Sequence, residues 1–227
     1  MENKLWYLKR SRLFERATDE TVSYCEHFFV QKTVPAKTTI FDQGDDARVV
    51  YLVKSGKVKI AHITEDGKEV LISVLGPGDI FGEEVIFNEK GLERTTIARC
   101  LEPSLLCMAR AEDIFAILSR SPLLALNIAK YLQEQRDDAL AIVEEVSYLK
   151  VHDRLLRLLE RLAQDHGVLE ESGTRLDLYL THAEIASLIG STRETVTLQL
   201  SNLVKDGYLR MAGKSMVLAR QPQAFAT

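Results

Sequence analysis

Cysteine is scarce in this chain: Cys25, Cys100 and Cys107 are the only three among 227 residues. So few, and an odd number, cannot build a disulfide framework, which points to a reducing cytoplasmic setting. No C-x-x-C occurs, and the five histidines are scattered rather than set at zinc or iron–sulfur spacing, so no metal site is expected. Long apolar runs are missing too. Leu5-Trp6-Tyr7-Leu8 is far too short for a signal peptide or a membrane span, so the chain reads as unprocessed and without a membrane partner. Strong charge of one sign is absent. Twenty-nine basic against 33 acidic residues leave a net charge of −4, which speaks against a dispersed nucleic-acid coat. There is no P-loop and no G-x-S-x-G. Gly76-Pro77-Gly78-Asp79-Ile80-Phe81-Gly82 imitates a dinucleotide fingerprint, but its third glycine comes one residue late and no crossover helix follows. Only His62 is at hand on a strand as a ligand for a jelly-roll metalloenzyme. The chain is not expected to be an enzyme.

What is present falls into four stretches. Up to about Phe29 the pattern predicts short helices, one starting at Thr18-Asp19-Glu20. From Val30 to Arg110, runs rich in Val, Ile and Thr alternate with glycines. Strands are predicted over 49–53, 57–63, 69–75, 95–101 and 105–109, with a hairpin turn at Glu65-Asp66-Gly67. Strands at that spacing imply a β-sandwich or β-barrel. A short helix over 111–118 follows, then a long one from Pro122 to about Leu149. Its Ile128, Leu132, Gln135, Ala139, Ile142, Val146 and Leu149 repeat at 3–4 spacing and read as a dimer seam; the plainer alternative is a helix packed on its own barrel. The fourth stretch, from Val151, opens with an amphipathic helix to His166, followed by a loop and a strand over 176–179.

Residues 181–206 carry the most weight. Thr181 with Glu184 forms a capping box that starts a helix at His182, and Gly190 ends it. Ser191 with Glu194 reads as a second capping box, starting another helix at Thr192. Two short helices around a glycine turn make a helix-turn-helix. In the second helix Val196, Leu200, Leu203 and Val204 are expected inside, with Arg193, Glu194, Thr197, Leu198 and Ser201 on the outer side. Arg193 can bond guanine O6 and N7, Glu194 can accept from cytosine N4, and Leu198 can touch a thymine methyl or simply pack. Capping and base contact compete for the one Glu194 carboxylate. Residues 207–219 read as a hairpin wing, with Lys205, Arg210 and Lys214 placed for phosphates.

These segments resemble the CRP/FNR family, the regulators typified by the cyclic-AMP receptor protein and the fumarate-nitrate reductase regulator. The resemblance runs through Phe41-Asp42-Gln43-Gly44-Asp45, Tyr51–Val58, Gly78-Asp79-Ile80-Phe81-Gly82-Glu83, Glu93-Arg94-Thr95-Thr96 and Gly190–Val196. It implies an α+β chain: an N-terminal double-stranded β-helix (jelly-roll) effector barrel over 1–121, a dimerisation helix and hinge over 122–150, and a C-terminal winged helix-turn-helix over 151–227. It also implies a cytoplasmic homodimer that binds double-stranded DNA at a promoter palindrome, acts on RNA polymerase and is controlled allosterically through the barrel. The DNA-binding set is Thr181, Ser191, Thr192, Arg193, Glu194, Thr197, Leu198 and Lys214. The effector set is Gly82, Glu83, Glu84, Arg94 and Thr95, which would hold a cyclic nucleotide, cAMP or cGMP; in the plainer alternative Arg94 only pairs with Glu84 or Glu93. The sequence departs from the family in three places. Val85 replaces a small residue beside the ligand, Ala139 and Leu140 replace adenine-binding hydroxyls, and Leu198 replaces a base-reading cation. Another small ligand, or none, therefore stays open, as does a ligand-binding module that does not act on DNA. The charge fits a reader attached to an acidic sensor: residues 150–227 carry +1 and the remainder −5.

Overall fold

The computed structural model describes residues 8–9, 11–87, 93–213 and 215–219. The chain forms two compact units that divide between Asp138 and Ala139, inside the long helix.

In the first unit, helix α1 (Asp19–Glu26) begins at Thr18, whose hydroxyl accepts from the Thr21 N–H at 3.2 Å. Eight strands follow: β1 (Val30–Val34), β2 (Thr39–Phe41), β3 (Val49–Ser55), β4 (Val58–Ile63), β5 (Glu69–Leu75), β6 (Ile80–Phe81), β7 (Ile97–Cys100) and β8 (Ser104–Arg110). They form two antiparallel four-stranded sheets, ordered β1-β8-β3-β6 and β2-β7-β4-β5. Gly67 turns the β4–β5 hairpin at φ +78, the left-handed conformation the sequence requires there. Between the sheets lie Val34, Phe41, Tyr51, Val53, Val58, Phe81, Ala98 and Leu106. The alternate residues of β3, Val50 and Leu52, point the other way into a second core. There they meet Phe14, Val22 and Phe29, helix α2 (Ala111–Arg120) through Ile114 and Ile117, and helix α3 (Pro122–Tyr148) through Leu124, Ile128 and Tyr131. A strand buried on both faces reads as a continuous apolar run, which is why Val49–Val53 shows no alternation. Tyr131 donates to the Ile80 carbonyl at 2.7 Å and pins α3 to β6. All three cysteines are free and buried.

The second unit holds the last turns of α3, then α4 (Val151–His166), β9 (Gly167–Glu170), β10 (Gly173–Leu176), α5 (His182–Leu188), α6 (Arg193–Lys205), β11 (Leu209–Ala212) and β12 (Ser215–Ala219). The strands make one antiparallel sheet, ordered β11-β12-β10-β9. Leu155, Leu159, Ile185, Val196, Leu200, Leu203 and Val217 are its core. Glu145, 7% exposed, ties α3 to α4 through Arg161 at 2.6 and 3.4 Å.

The structure changes three local expectations. The strand expected over 176–179 lies at 173–176 and pairs with β9, in the stretch expected to be loop. Val204 is 40% exposed rather than inside, because Leu200 and Leu203 already fill the inward face of α6. Along α3, Ile128 is buried in its own unit and Leu132, half-buried, packs beside it. Gln135, Ile142 and Leu149 are half-buried, while Ala139 and Val146 are exposed. The exposed large apolar residues of α3 are Leu123, Leu126, Leu140, Val143, Val146 and Tyr148. Finally, the second capping box does not form, as described next.

Candidate functional site

Two sites take shape, one in each unit. In the second unit, α5 starts with the predicted capping box. Thr181 accepts from the Glu184 N–H at 3.2 Å, and the Glu184 carboxylate accepts from the Thr181 N–H at 2.9 Å. Gly190 then turns the chain at φ +58, a left-handed conformation in which an L side chain is strained. The Ser191 N–H donates to the Ala186 carbonyl at 2.9 Å, which keeps Ser191 within the turn. The N-cap of α6 is therefore Thr192, accepting from the Thr195 N–H at 3.2 Å. Glu194 becomes the second helical residue, one place too early for a capping box. Its carboxylate is thus relieved of the capping duty that competed with base contact. Neither the Arg193 nor the Glu194 side chain has a hydrogen bond or ion pair among the described residues, and both are exposed at the positive end of the helix.

The rest of that face is less available. The Thr197 hydroxyl donates to the Arg193 carbonyl at 2.8 Å and meets His182 Nδ1 at 2.8 Å, so it is committed inside the motif. Leu198 is 59% exposed and free to touch an apolar group. A cavity of about 570 Å³ opens where α5, α6 and the wing converge, lined by Thr181, His182, Arg193, Met211 and Gly213 among others. Of the eight residues expected to bind DNA, Lys214 lies outside the described residues; the other seven cluster around the start of α6.

In the first unit, Gly82, Glu83 and Glu84 sit at the start of the 3-10 turn Glu83–Phe87, just after β6. Arg94 comes to them from the chain before β7 and is 2% exposed. Its Nη1 donates to Glu84 at 2.5 Å and to the Gly82 carbonyl at 3.3 Å; its Nη2 donates to the Val49 carbonyl at 2.5 Å. The guanidinium lies 4.2 Å above the Phe41 ring and 5.8 Å from that of Tyr51, which stacks on Phe81. Gly82 adopts φ +76, and a Cβ there would meet Arg94 Nη1 at 2.7 Å and the Val49 carbonyl at 2.9 Å. Burial pushes the Glu83 carboxyl up to about 7, and the Glu84 charge adds to that against the opposing pull of Arg94. Burial, and then the charges of Glu83 and Asp79, raise the Tyr131 hydroxyl well above its ordinary value.

Gly82, Glu83, Glu84 and Arg94 of the effector set are thus brought together, and Thr95 follows Arg94 in the chain. Thr95 is exposed, and its carbonyl accepts from His62 Nδ1 at 3.0 Å. Arg94 is not open: the Glu84 pairing foreseen as the plainer alternative is made. The aromatic platform under Arg94 was missed; Phe41 and Tyr51 stand in the quoted motifs, but nothing in their spacing marks them as neighbours of Arg94.

A double-sheeted barrel carrying a buried cation, followed by a helix-turn-helix with an unpaired Arg–Glu pair at its tip, defines a DNA-binding transcription regulator. The comparisons agree. The cyclic nucleotide-binding domain family matches residues 31–121, and the Crp-like helix-turn-helix domain matches 153–226. The cyclic AMP receptor protein of Thermus thermophilus is 33% identical over 205 residues, 90% of each chain. The global nitrogen regulator of Synechocystis is 30% identical, with 87% of each chain covered. Among solved structures, the c-di-GMP-responsive global regulator CLP of Xanthomonas campestris is 27% identical with a TM-score of 0.77, covering 90% of this chain and 100% of that one. The chain belongs to the CRP/FNR family of transcription regulators. Among the described residues, no helix is long and apolar enough to cross a membrane.

Proposed function

We propose that this regulator acts in the cytoplasm as a homodimer on a pseudo-palindromic duplex, where it meets RNA polymerase, and that a small anionic effector in the barrel sets its affinity for DNA. The barrel over 1–121 senses, the helix over 122–150 pairs two chains, and the winged helix over 151–227 reads. The observation that carries the reading is the pair Arg193 and Glu194, exposed and unpartnered at the N-terminus of α6. A donor fork and an acceptor side by side match a guanine and a cytosine edge in the major groove. Lys205, at the far end of α6, and Arg210, on β11, are the expected phosphate contacts. Leu126, Leu140 and Val143 recur along α3 at multiples of the 3–4 spacing, with Ala129, Gln133 and Arg136 in the places between, and would form the dimer seam. The matching domain family and the name of the Thermus relative favour a cyclic nucleotide, cAMP or cGMP, as the effector. Because α3 starts in one unit and ends in the other, a ligand at the barrel would act by favouring one of two arrangements of the paired readers.

Selection of duplexes from a random pool by the full-length protein tests this. An inverted repeat with half-sites about one helical turn apart, bound by two chains, is the expected product. Enrichment of no repeat, or one chain per duplex, would refute it.

A further inference from the structure

We propose that His182 makes DNA binding proton-linked: in each chain its ring takes up one proton from water, at Nε2, as it meets a backbone phosphate of the duplex. This rests on the reading that α6 enters the major groove beginning with Arg193. The tautomer of the ring follows from its partner. Thr197 Oγ1 lies 2.8 Å from the Arg193 carbonyl and 2.8 Å from His182 Nδ1. A carbonyl only accepts and a hydroxyl has one proton, so that proton goes to Arg193. Thr197 Oγ1 then accepts from the ring, and Nδ1 carries the hydrogen. A neutral imidazole with its hydrogen on Nδ1 has a bare lone pair at Nε2. That nitrogen has no hydrogen bond among the described residues. Its lone pair repels a phosphate oxygen, whereas the N–H of an imidazolium donates to one in a charge-assisted bond.

The place of His182 in the motif supplies the phosphate. It is the first residue of α5, and in a docked helix-turn-helix the first helix crosses the DNA backbone while the second enters the groove. Its bond to Thr197 fixes it to the outer side of α6, and it lines the same cavity of about 570 Å³ as Arg193. Among the described residues, the charged and titratable groups around the ring are these. From α6 comes the Arg193 guanidinium. From its own segment come Tyr179 and the Glu184 carboxylate, which accepts from the Thr181 N–H and hydroxyl at 2.9 Å each. The wing adds Met211 and Met216, both uncharged. The like charge of Arg193 opposes protonation in the free protein, and an incoming phosphate answers both cations. Histidine is the side chain that changes charge between about pH 5 and 8, so the uptake falls within the physiological range.

Fluorescence anisotropy of the full chain and of His182→Asn on the selected palindrome, at pH 6, 7 and 8, tests this. Asn keeps a donor for Thr197 and places nothing where Nε2 stands. The two proteins are expected to bind alike at pH 8. At pH 6 wild type is expected to bind about fivefold tighter per half-site, for a phosphate bond worth about tenfold to the imidazolium. The difference between the two proteins removes titrating groups elsewhere, Glu83 among them. At pH 6, but not at pH 8, wild type is expected to show a salt slope steeper by about one per chain, which a merely structural His182 would not give. The same pH dependence in both proteins overturns the proposal. So does wild-type affinity that falls relative to His182→Asn as pH falls, the sign of a neutral ring accepting from a base amino group. Arg193→Ala on the same duplex separates this proposal from the reading beneath it. If that variant loses its preference for the palindrome while His182→Asn matches wild type at every pH, only the proton linkage is overturned; if Arg193→Ala binds like wild type, the docking of α6 goes with it. Should His182→Asn fail to fold, the ring nitrogen resonances of His182 in wild type decide the matter. Nε2 is expected to shift towards the protonated position as duplex saturates the protein at pH 7, and an unmoved resonance overturns the proposal.

Discussion

Replacing Glu83 by Gln should change how the barrel's stability depends on pH. The Glu83 carboxyl is raised from an ordinary 4.5 to about 7 in the folded chain, mainly by burial. Below pH 4.5 it is protonated in both the folded and unfolded chains and contributes nothing. Between 4.5 and 7 the folded chain holds a proton that the unfolded chain has released, so stability falls as pH rises. Above 7 the full cost of ionising a buried carboxylate is present. At about 1.4 kcal/mol for each pH unit across that window, the cost approaches about 3 kcal/mol. An amide has the same shape and does not titrate. Urea unfolding followed by circular dichroism at several pH values would compare the two proteins. The difference Glu83→Gln minus wild type should be flat below pH 4.5, climb by about 3 kcal/mol up to pH 7–8, then level off. Titrating groups far from Glu83 cancel in that difference, Glu84 beside it is the coupled group that does not, and the packing of the amide adds only a constant offset. A pH-independent difference, or one falling with pH, would refute the burial argument.

Thr192→Ala removes the N-cap of α6 and should cost about 1 kcal/mol in thermal unfolding, whereas Ser191→Ala should cost less, since the Ser191 side chain caps nothing. Gly82→Ala combines a positive φ with a Cβ in contact with Arg94 and a backbone oxygen, and should destabilise the barrel by at least about 2 kcal/mol in the same assay. If Leu198 covers a thymine methyl, replacing that thymine by deoxyuridine in the selected half-site should weaken wild-type binding about fourfold, the worth of one buried methyl group, and leave Leu198→Ala unaffected.

The barrel was legible because its inner strands are rich in β-branched residues and separated by glycines, and the helix-turn-helix because Thr181, Glu184 and Gly190 each have one local meaning. What escaped had weaker or ambiguous signals. Strand β1, Val-Gln-Lys-Thr-Val, is an edge strand with little buried apolar content, and β9 exposes most of its four residues. Helix α3 is apolar on more than one side. Its sequence offers Leu124–Ile128–Tyr131 and Leu126–Leu140–Val143 alike, and only the docking of Tyr131 on Ile80 tells which stripe faces inward. Ser191 and Thr192 are adjacent hydroxyls, either able to cap; the bond from the Ser191 N–H to Ala186 decides between them. At Arg94 the sequence offered two carboxylate partners, Glu84 and Glu93, and the choice between them depends on a turn geometry that no local pattern encodes.

The central claim is that α6 reads bases through Arg193. The most direct measurement is fluorescence anisotropy of full-length wild type and Arg193→Ala on the selected palindrome and on a scrambled duplex, across a salt series. The account predicts that Arg193→Ala loses about 1–3 kcal/mol per half-site on the palindrome, with little change on the scrambled duplex or in the salt slope. Equal binding of the two proteins to the palindrome, or an equal loss on both duplexes, would contradict it.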